Sequence, residues 1–273
     1  WAFEGCPRGS SPRTGLLRTW ALGVAGLLAI DLILGLTGSL AATTAIRVLT
    51  GLLAVAGLWS FRRIRPKATG ICLAAALPIG TLFLAAASTP GWLWGTEFGG
   101  YDALSYHLQL PREWWLAGAI IETPHNAYGY LPNGVEAAFF HVMTMIGDPA
   151  AAAVPCQLLV ACLALLAAGA TGELAVAMLG RGAASNERLL TRQLGFVALL
   201  AIPWMIVVGS LAYDETVVLL LATTAFTVIL EQGRGGAGSS LTTPTASNLQ
   251  VGGWLGILLG GAVLAKASSG PLI

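Results

Sequence analysis

Apolar residues run through this chain in blocks, not in stripes. Runs at roughly 16–38, 42–60, 68–88, 150–179, 194–211, 213–231 and 250–270 are apolar on every face. Each approaches the length of about 17 to 25 residues that a helix needs to cross hydrocarbon about 30 Å thick. The pattern predicts an all-α protein, a polytopic transmembrane helix bundle of about seven spans. Its long interruption is a loop at about 89–148. Within it, "DALSYHLQLPREWWLAG" repeats Leu104, Leu108 and Trp115 near helical spacing, which predicts a short helix lying on the membrane surface. "GVEAAFFHVMTMI", about 134–146, predicts a second such helix, too short to span. Between them "TPHNAYGYLPNG" is built of turn residues. Two units follow: a hairpin with a basic loop over 1–67, and a membrane core over 68–273 that contains the long loop.

Composition agrees with the pattern. Of 273 residues 56% are hydrophobic and 10% charged, where a soluble domain carries roughly 25% charged residues. Mean hydropathy is +0.76. A formal net charge of +1 implies no nucleic-acid partner. Cys6, Cys72, Cys156 and Cys162 show no CxxC spacing, so neither a disulfide framework nor a metal site is expected from them. The chain starts without Met and stops just after an apolar run; it is expected to be part of a longer protein.

Charge placement sets the orientation, because short cytoplasmic loops collect Lys and Arg. Arg8, Arg13 and Arg18 precede or open the first run, "FRRIRPK" follows the second, and Arg181, Arg188 and Arg192 separate the fourth from the fifth. Simple alternation puts all three clusters in the cytoplasm. The loop at 89–148, with Arg112 as its one basic residue against several acids, then lies outside. A multi-pass protein of the plasma (inner) membrane, if bacterial, is the expected localisation. The Gly/Ser/Thr-rich stretch 232–249 reads as a flexible cytoplasmic loop.

Three polar points stand on the outer side of this topology. Asp102 opens the first loop helix, where a carboxylate either caps backbone N–H groups or, with Tyr106 and His107 about one turn on, forms part of a site. Asp214 and Glu215, after Tyr213, fall between two runs, as a polar turn or as acids of that same site. Lys266 lies deep in the last run, as a snorkelling lysine or, with Ser268, Ser269, Gly270 and Pro271 breaking the helix beyond it, as the lining of a polar cavity. Asp31 and Arg47 are expected to pair across the first hairpin. His125, His141 and Glu136 are weaker site candidates, and Gly252, Gly256 and Gly260 form a small-residue ridge suited to helix packing.

The order "YDALSYHLQLP", "YLPNGVEAAF", "AYDETVVLLL", "LGGAVLAKAS" resembles that of the polytopic GT-C glycosyltransferases. Among these it is most similar to the mannosyltransferases and aminoarabinose transferases that use dolichyl- or undecaprenyl-phosphate sugars. The resemblance covers about 68 to the end. It implies that Asp102 is the catalytic aspartate of the first outer loop, that Asp214 or Glu215 is a second acidic residue, and that Lys266 sits near the lipid phosphate. Two runs precede the family's usual first core helix, and its large C-terminal part does not appear in this sequence.

The residue types suit the chemistry. Transfer from a polyprenyl-phosphate sugar needs a base for the acceptor hydroxyl and cations for the phosphate. Asp102 is the expected general base, alone or with His107. Tyr106, Asp214 and Glu215 are expected in the substrate pocket, and Lys266 and Arg112 at the phosphate. A divalent cation is a further expectation, with Asp214 and Glu215 as its ligands. Expected partners are the lipid-linked donor, a lipid, glycan or protein acceptor, and the membrane lipids. A secondary transporter and a non-catalytic membrane scaffold are the alternatives.

Overall fold

The computed structural model describes residues 12–64, 73–95, 99–179, 182–235 and 246–272. Arg8, Cys6, Cys72, Arg181, the end of the basic loop at 65–67 and positions 236–245 of the Gly/Ser/Thr-rich stretch lie outside the described residues. The described residues are helical, with no strand among them. The helices are α1 (Pro12–Leu36), α2 (Thr43–Ile64), α3 (Leu73–Ala86), α4 (Gln109–Ala117), α5 (Gly134–Ile146), α6 (Pro149–Leu179), α7 (Ser185–Leu200), α8 (Pro203–Ser210), α9 (Glu215–Gly235) and α10 (Ala246–Ala265).

Three stretches, Gly15–Leu36, Pro149–Leu179 and Glu215–Gly233, are long and apolar enough to cross a membrane. A fourth results if α7 and α8 count as one span bent by 68°. The bend falls at Pro203, the first residue of α8, with Ile202 in extended conformation before it. Proline lacks the N–H that would continue the ladder and pushes its predecessor out of the helical region. Thr43–Val55, Leu73–Ala86 and Leu249–Ala265 are shorter apolar helices.

The core is centred on α6, which packs on α7 and α9. Half of its buried residues are alanine, including Ala152, Ala161, Ala164, Ala167 and Ala168, and small side chains let helix backbones approach closely. The α6–α7 crossing depends on two glycines: a Cβ on Gly195 would lie 3.0 Å from the Gly172 Cα. The expected ridge of Gly252, Gly256 and Gly260 meets no neighbour among the described residues, none of which lies within 4 Å of a Cβ at any of the three. α10 instead meets α1 through Gly261, where a Cβ would come within 2.7 Å of the Ala25 Cβ.

α5 has the predicted bounds but not the predicted position. Glu136, Phe139, Phe140 and Met143 are buried, because the helix is wedged among α1, α4 and α6 and does not lie on a surface. In α4, Trp114 is likewise core, its Nε1 donating to the Ile121 carbonyl at 3.2 Å. Wedging also separates the expected Asp31–Arg47 pair. Asp31 Oδ1 meets His141 Nδ1 at 2.8 Å, and His141 Nε2 meets Thr50 Oγ1 at 2.9 Å. Arg47 donates to the carbonyls of Thr144 and Met145 at the C-terminal end of α5, where unpaired carbonyls attract a cation. His141 is thus a brace joining α1, α2 and α5.

Candidate functional site

Gly99 and Gly100 both adopt positive φ, 68° and 72°, a conformation that costs glycine little, and they turn the chain sharply into the helix bearing Asp102. The next turn is a π-helix, Ala103–His107, closed by the Leu108 N–H donating to the Ala103 carbonyl at 2.9 Å. Such single wide turns are frequent at functional sites. Ala103 and His107 face inward from the π turn, and Leu110 and Trp114 from α4. Asp102 is helical, half-buried and makes no capping bond, so it is not the N-cap that its position allowed.

His107 reaches the first turn of α5. Its Nδ1 lies 2.5 Å from Glu136 Oε1, with the two side chains 1% and 3% exposed. Burial alone would lower the pKa of His107; the hydrogen bond and charge of Glu136, with Asp214 and Glu215, outweigh it and raise the pKa. Tyr106 stacks on Tyr128 at 4.1 Å between ring centroids. The turn carrying Tyr128 is tied down by Asn126, whose Nδ2 donates to the Ser105 carbonyl at 2.9 Å. Burial, then the charges of Asp102, Asp214, Glu215 and Glu136, push the Tyr106 phenol far up, so it is a neutral hydroxyl surrounded by carboxylates.

The third wall comes from the α8–α9 junction and the end of α10. Tyr213 is buried, its ring 5.2 Å from that of His107. Asp214 and Glu215 both bind Lys266: Nζ donates to Asp214 Oδ1 at 2.9 Å and to Glu215 Oε1 at 2.6 Å. Lys266 follows the last residue of α10, where the chain tightens into a 3₁₀ turn, Ala267–Leu272, and Ser269 donates to the Lys266 carbonyl. Burial would lower the Lys266 pKa, but the two carboxylates raise it. Asp214 is pushed up to about 6 by burial and the Glu215 charge, against the pull of His107 and Lys266.

That value carries a sign. Because the Asp214 carboxyl rises from 3.8 to about 6 on folding, folded protein holds a proton there at intermediate pH that the unfolded chain releases. The stabilisation is complete below pH about 4 and lost as pH rises through about 6. The thermal midpoint of the unaltered protein, measured relative to Asp214→Asn, is therefore expected to fall across that interval. A flat difference between the two midpoints would rule out an Asp214 titration there.

Asp102, Tyr106, His107, Asp214, Glu215 and Lys266 are thus brought together, with Glu136 and Tyr213 among them. Arg112 is exposed on α4, donating to Gln109 on its own helix at 3.5 Å, with no hydrogen bond or ion pair to this cluster among the described residues. His125 meets Glu113 on the same outer surface. Asp214 and Glu215 close on the Lys266 ammonium, where a divalent cation would need their oxygens, and among the described residues no three His, Cys, Asp or Glu form a metal-binding group. These residues do not fit a metal site. A groove of about 450 Å³ lined by Thr89, Pro90, Gly91, Trp92 and Leu104 opens beside the π turn.

Glu136 is the residue that sequence reasoning undervalued. A lone carboxylate in the apolar stretch "GVEAAFF" carries the signal that would have found it, since an ionisable group in such surroundings is expensive without a partner. In comparison with known proteins, no family model, no curated protein and no solved structure matches the chain.

Proposed function

We propose that the chain forms the membrane core of a glycosyltransferase that moves a sugar from a polyprenyl-phosphate donor to a hydroxyl acceptor on the extracytoplasmic face. The observation that carries this reading is the state of the acids in the cluster. Glu136 is bound to His107, and Asp214 and Glu215 to Lys266, whereas Asp102 makes no side-chain hydrogen bond among the described residues. A base must be free to accept a proton, and Asp102 is free. The acceptor oxygen attacks the anomeric carbon, the bond from that carbon to the phosphate oxygen breaks, the phosphate leaves with the electron pair, and Asp102 takes the hydroxyl proton.

In this reading α1, α2, α3, α6, the bent α7–α8 pair, α9 and α10 are seven spans of a plasma (inner) membrane protein. The acidic cluster gathers at the ends where α9 begins and α10 finishes, while Arg18 over Trp254 and the Glu173–Arg192 pair lie towards the opposite ends. That polarity favours the extracytoplasmic assignment through the bias of basic residues to the cytoplasm. It also favours an interfacial enzyme over a transporter, whose site lies near the bilayer midplane.

The test is direct. The full chain, reconstituted in liposomes with radiolabelled polyprenyl-phosphate hexoses and pentoses and with alcohol acceptors, is expected to release polyprenyl phosphate and label the acceptor. A protein that leaves the sugar–phosphate bond of every donor intact is not this enzyme.

A further inference from the structure

We propose that Glu136 is a positioning residue that holds His107 as an imidazolium with its Nε2–H presented to the phosphate of a polyprenyl-phosphate ligand. The inference rests on the glycosyltransferase reading for its ligand, but its structural part stands on the dyad alone. Glu136 Oε1 engages Nδ1 at 2.5 Å in surroundings where both side chains are nearly inaccessible. The ring lies between Tyr106, 4.1 Å away, and Tyr213, 5.2 Å away, with Nδ1 turned to the carboxylate. Nε2 makes no hydrogen bond to the described residues. One nitrogen is therefore fixed by the protein and the other has no protein partner among the described residues, the arrangement by which an outer carboxylate sets the state of a histidine.

The charges around the ring define what that ligand is. Glu136 faces His107 from α5, Asp214 and Glu215 from the α8–α9 junction, Asp102 and Tyr106 from its own helix, and Lys266 from beyond α10. Lys266 is the other cation, and it is already engaged by two carboxylates. An anionic phosphate enters such an acidic site only against a cation with an uncommitted N–H; in the cluster His107 supplies one through Nε2, beside the one N–H that Lys266 keeps after donating to Asp214 and Glu215. As the sugar departs, the phosphate oxygen gains charge, and a charge-assisted bond from Nε2 strengthens at that moment.

The experiment uses the full chain in nanodiscs, with side-chain ¹⁵N spectra of its histidines and with undecaprenyl phosphate as the binding probe. The chain holds three histidines, and His107→Gln identifies the signal. At pH about 7.5 both nitrogens of His107 are expected to be protonated; in Glu136→Gln the ring is expected to be neutral. At pH about 8, Glu136→Gln is expected to bind the probe about tenfold or more weakly than the unaltered protein. The ratio between the two should shrink towards pH about 5.5, where an unassisted histidine regains its proton. Titration of the phosphate itself is common to both proteins and cancels in the ratio.

Glu136→Asp is expected to restore part of the affinity, and His107→Gln to show the loss without recovery at low pH. A neutral His107 in the unaltered protein, or equal binding by Glu136→Gln at pH about 8, overturns the proposal. If Glu136→Gln does not fold, the spectrum of the unaltered protein and the pH response of His107→Gln still decide. Binding and spectra as expected, with no sugar transferred from any donor, would refute the glycosyltransferase reading and leave the phosphate site standing.

Discussion

Asp102→Asn is expected to lower sugar transfer by about 10²- to 10⁴-fold, the range associated with loss of a positioned general base. Asparagine keeps the size and polarity of the side chain and removes only its ability to take a proton. Asp102 makes no side-chain hydrogen bond among the described residues and is half-buried, so stability should change by no more than about 0.5 kcal/mol. The measurement is the initial rate of polyprenyl phosphate release at saturating donor, beside the thermal midpoint of the same preparation. Undiminished turnover would remove Asp102 from the chemistry. A midpoint lowered by many degrees would instead give Asp102 a structural role. Asp102→Glu, which moves the carboxylate by one methylene, is expected to fall between the two rates.

The residues that form the polar cluster were legible in the sequence because charge in an apolar chain is costly and therefore rarely incidental. Asp102, His107, Asp214, Glu215 and Lys266 stand out against their surroundings on that ground alone, and alternation of spans puts them on one side. What could not be read was which partner each would take. Pairing depends on helix rotation and depth, which turn by 100° with each residue and are set by packing. Asp31 therefore met His141 in place of Arg47, and Lys266 turned to two carboxylates, not to an open cavity.

The π turn at Ala103–His107 was equally hidden, since its i→i+5 bond leaves the composition of "ALSYH" unchanged. Without it, the periodicity places Leu104 and Leu108 on one face; in the structure Leu108 is 8% exposed and Leu104 49%. α5 shows the other side of this division. Its length and bounds follow from Asn133 before it, Gly134 at its start and Gly147 after it, all local signals. Its burial follows from neighbours far away in sequence, and hydrophobicity alone does not distinguish a membrane surface from a protein interior.

The second large effect is on stability. Lys266→Met is expected to destabilise the protein by about 2–3 kcal/mol, somewhat below the range of about 3–5 kcal/mol for removing one partner of a fully buried pair. Asp214 is 8% exposed, but Lys266 and Glu215 are 33% and 40% exposed, and that access to solvent softens the cost. The penalty arises from two adjacent carboxylates left without a counter-charge, so neutralising one should recover much of it. Lys266→Met combined with Asp214→Asn is expected to be more stable than Lys266→Met alone, a non-additivity that measures the coupling. Denaturant unfolding in one detergent, repeated at each pH, reads the four proteins of the cycle, Asp214→Asn alone included. Since the Asp214 carboxyl is already pushed up to about 6, and loss of the ammonium raises it further, the penalty of Lys266→Met should shrink as pH falls towards about 6, where the variant's Asp214 is protonated before that of the unaltered protein. A penalty that is independent of pH and unchanged by Asp214→Asn would mean that Lys266 contributes through the packing of its stem, not through its charge.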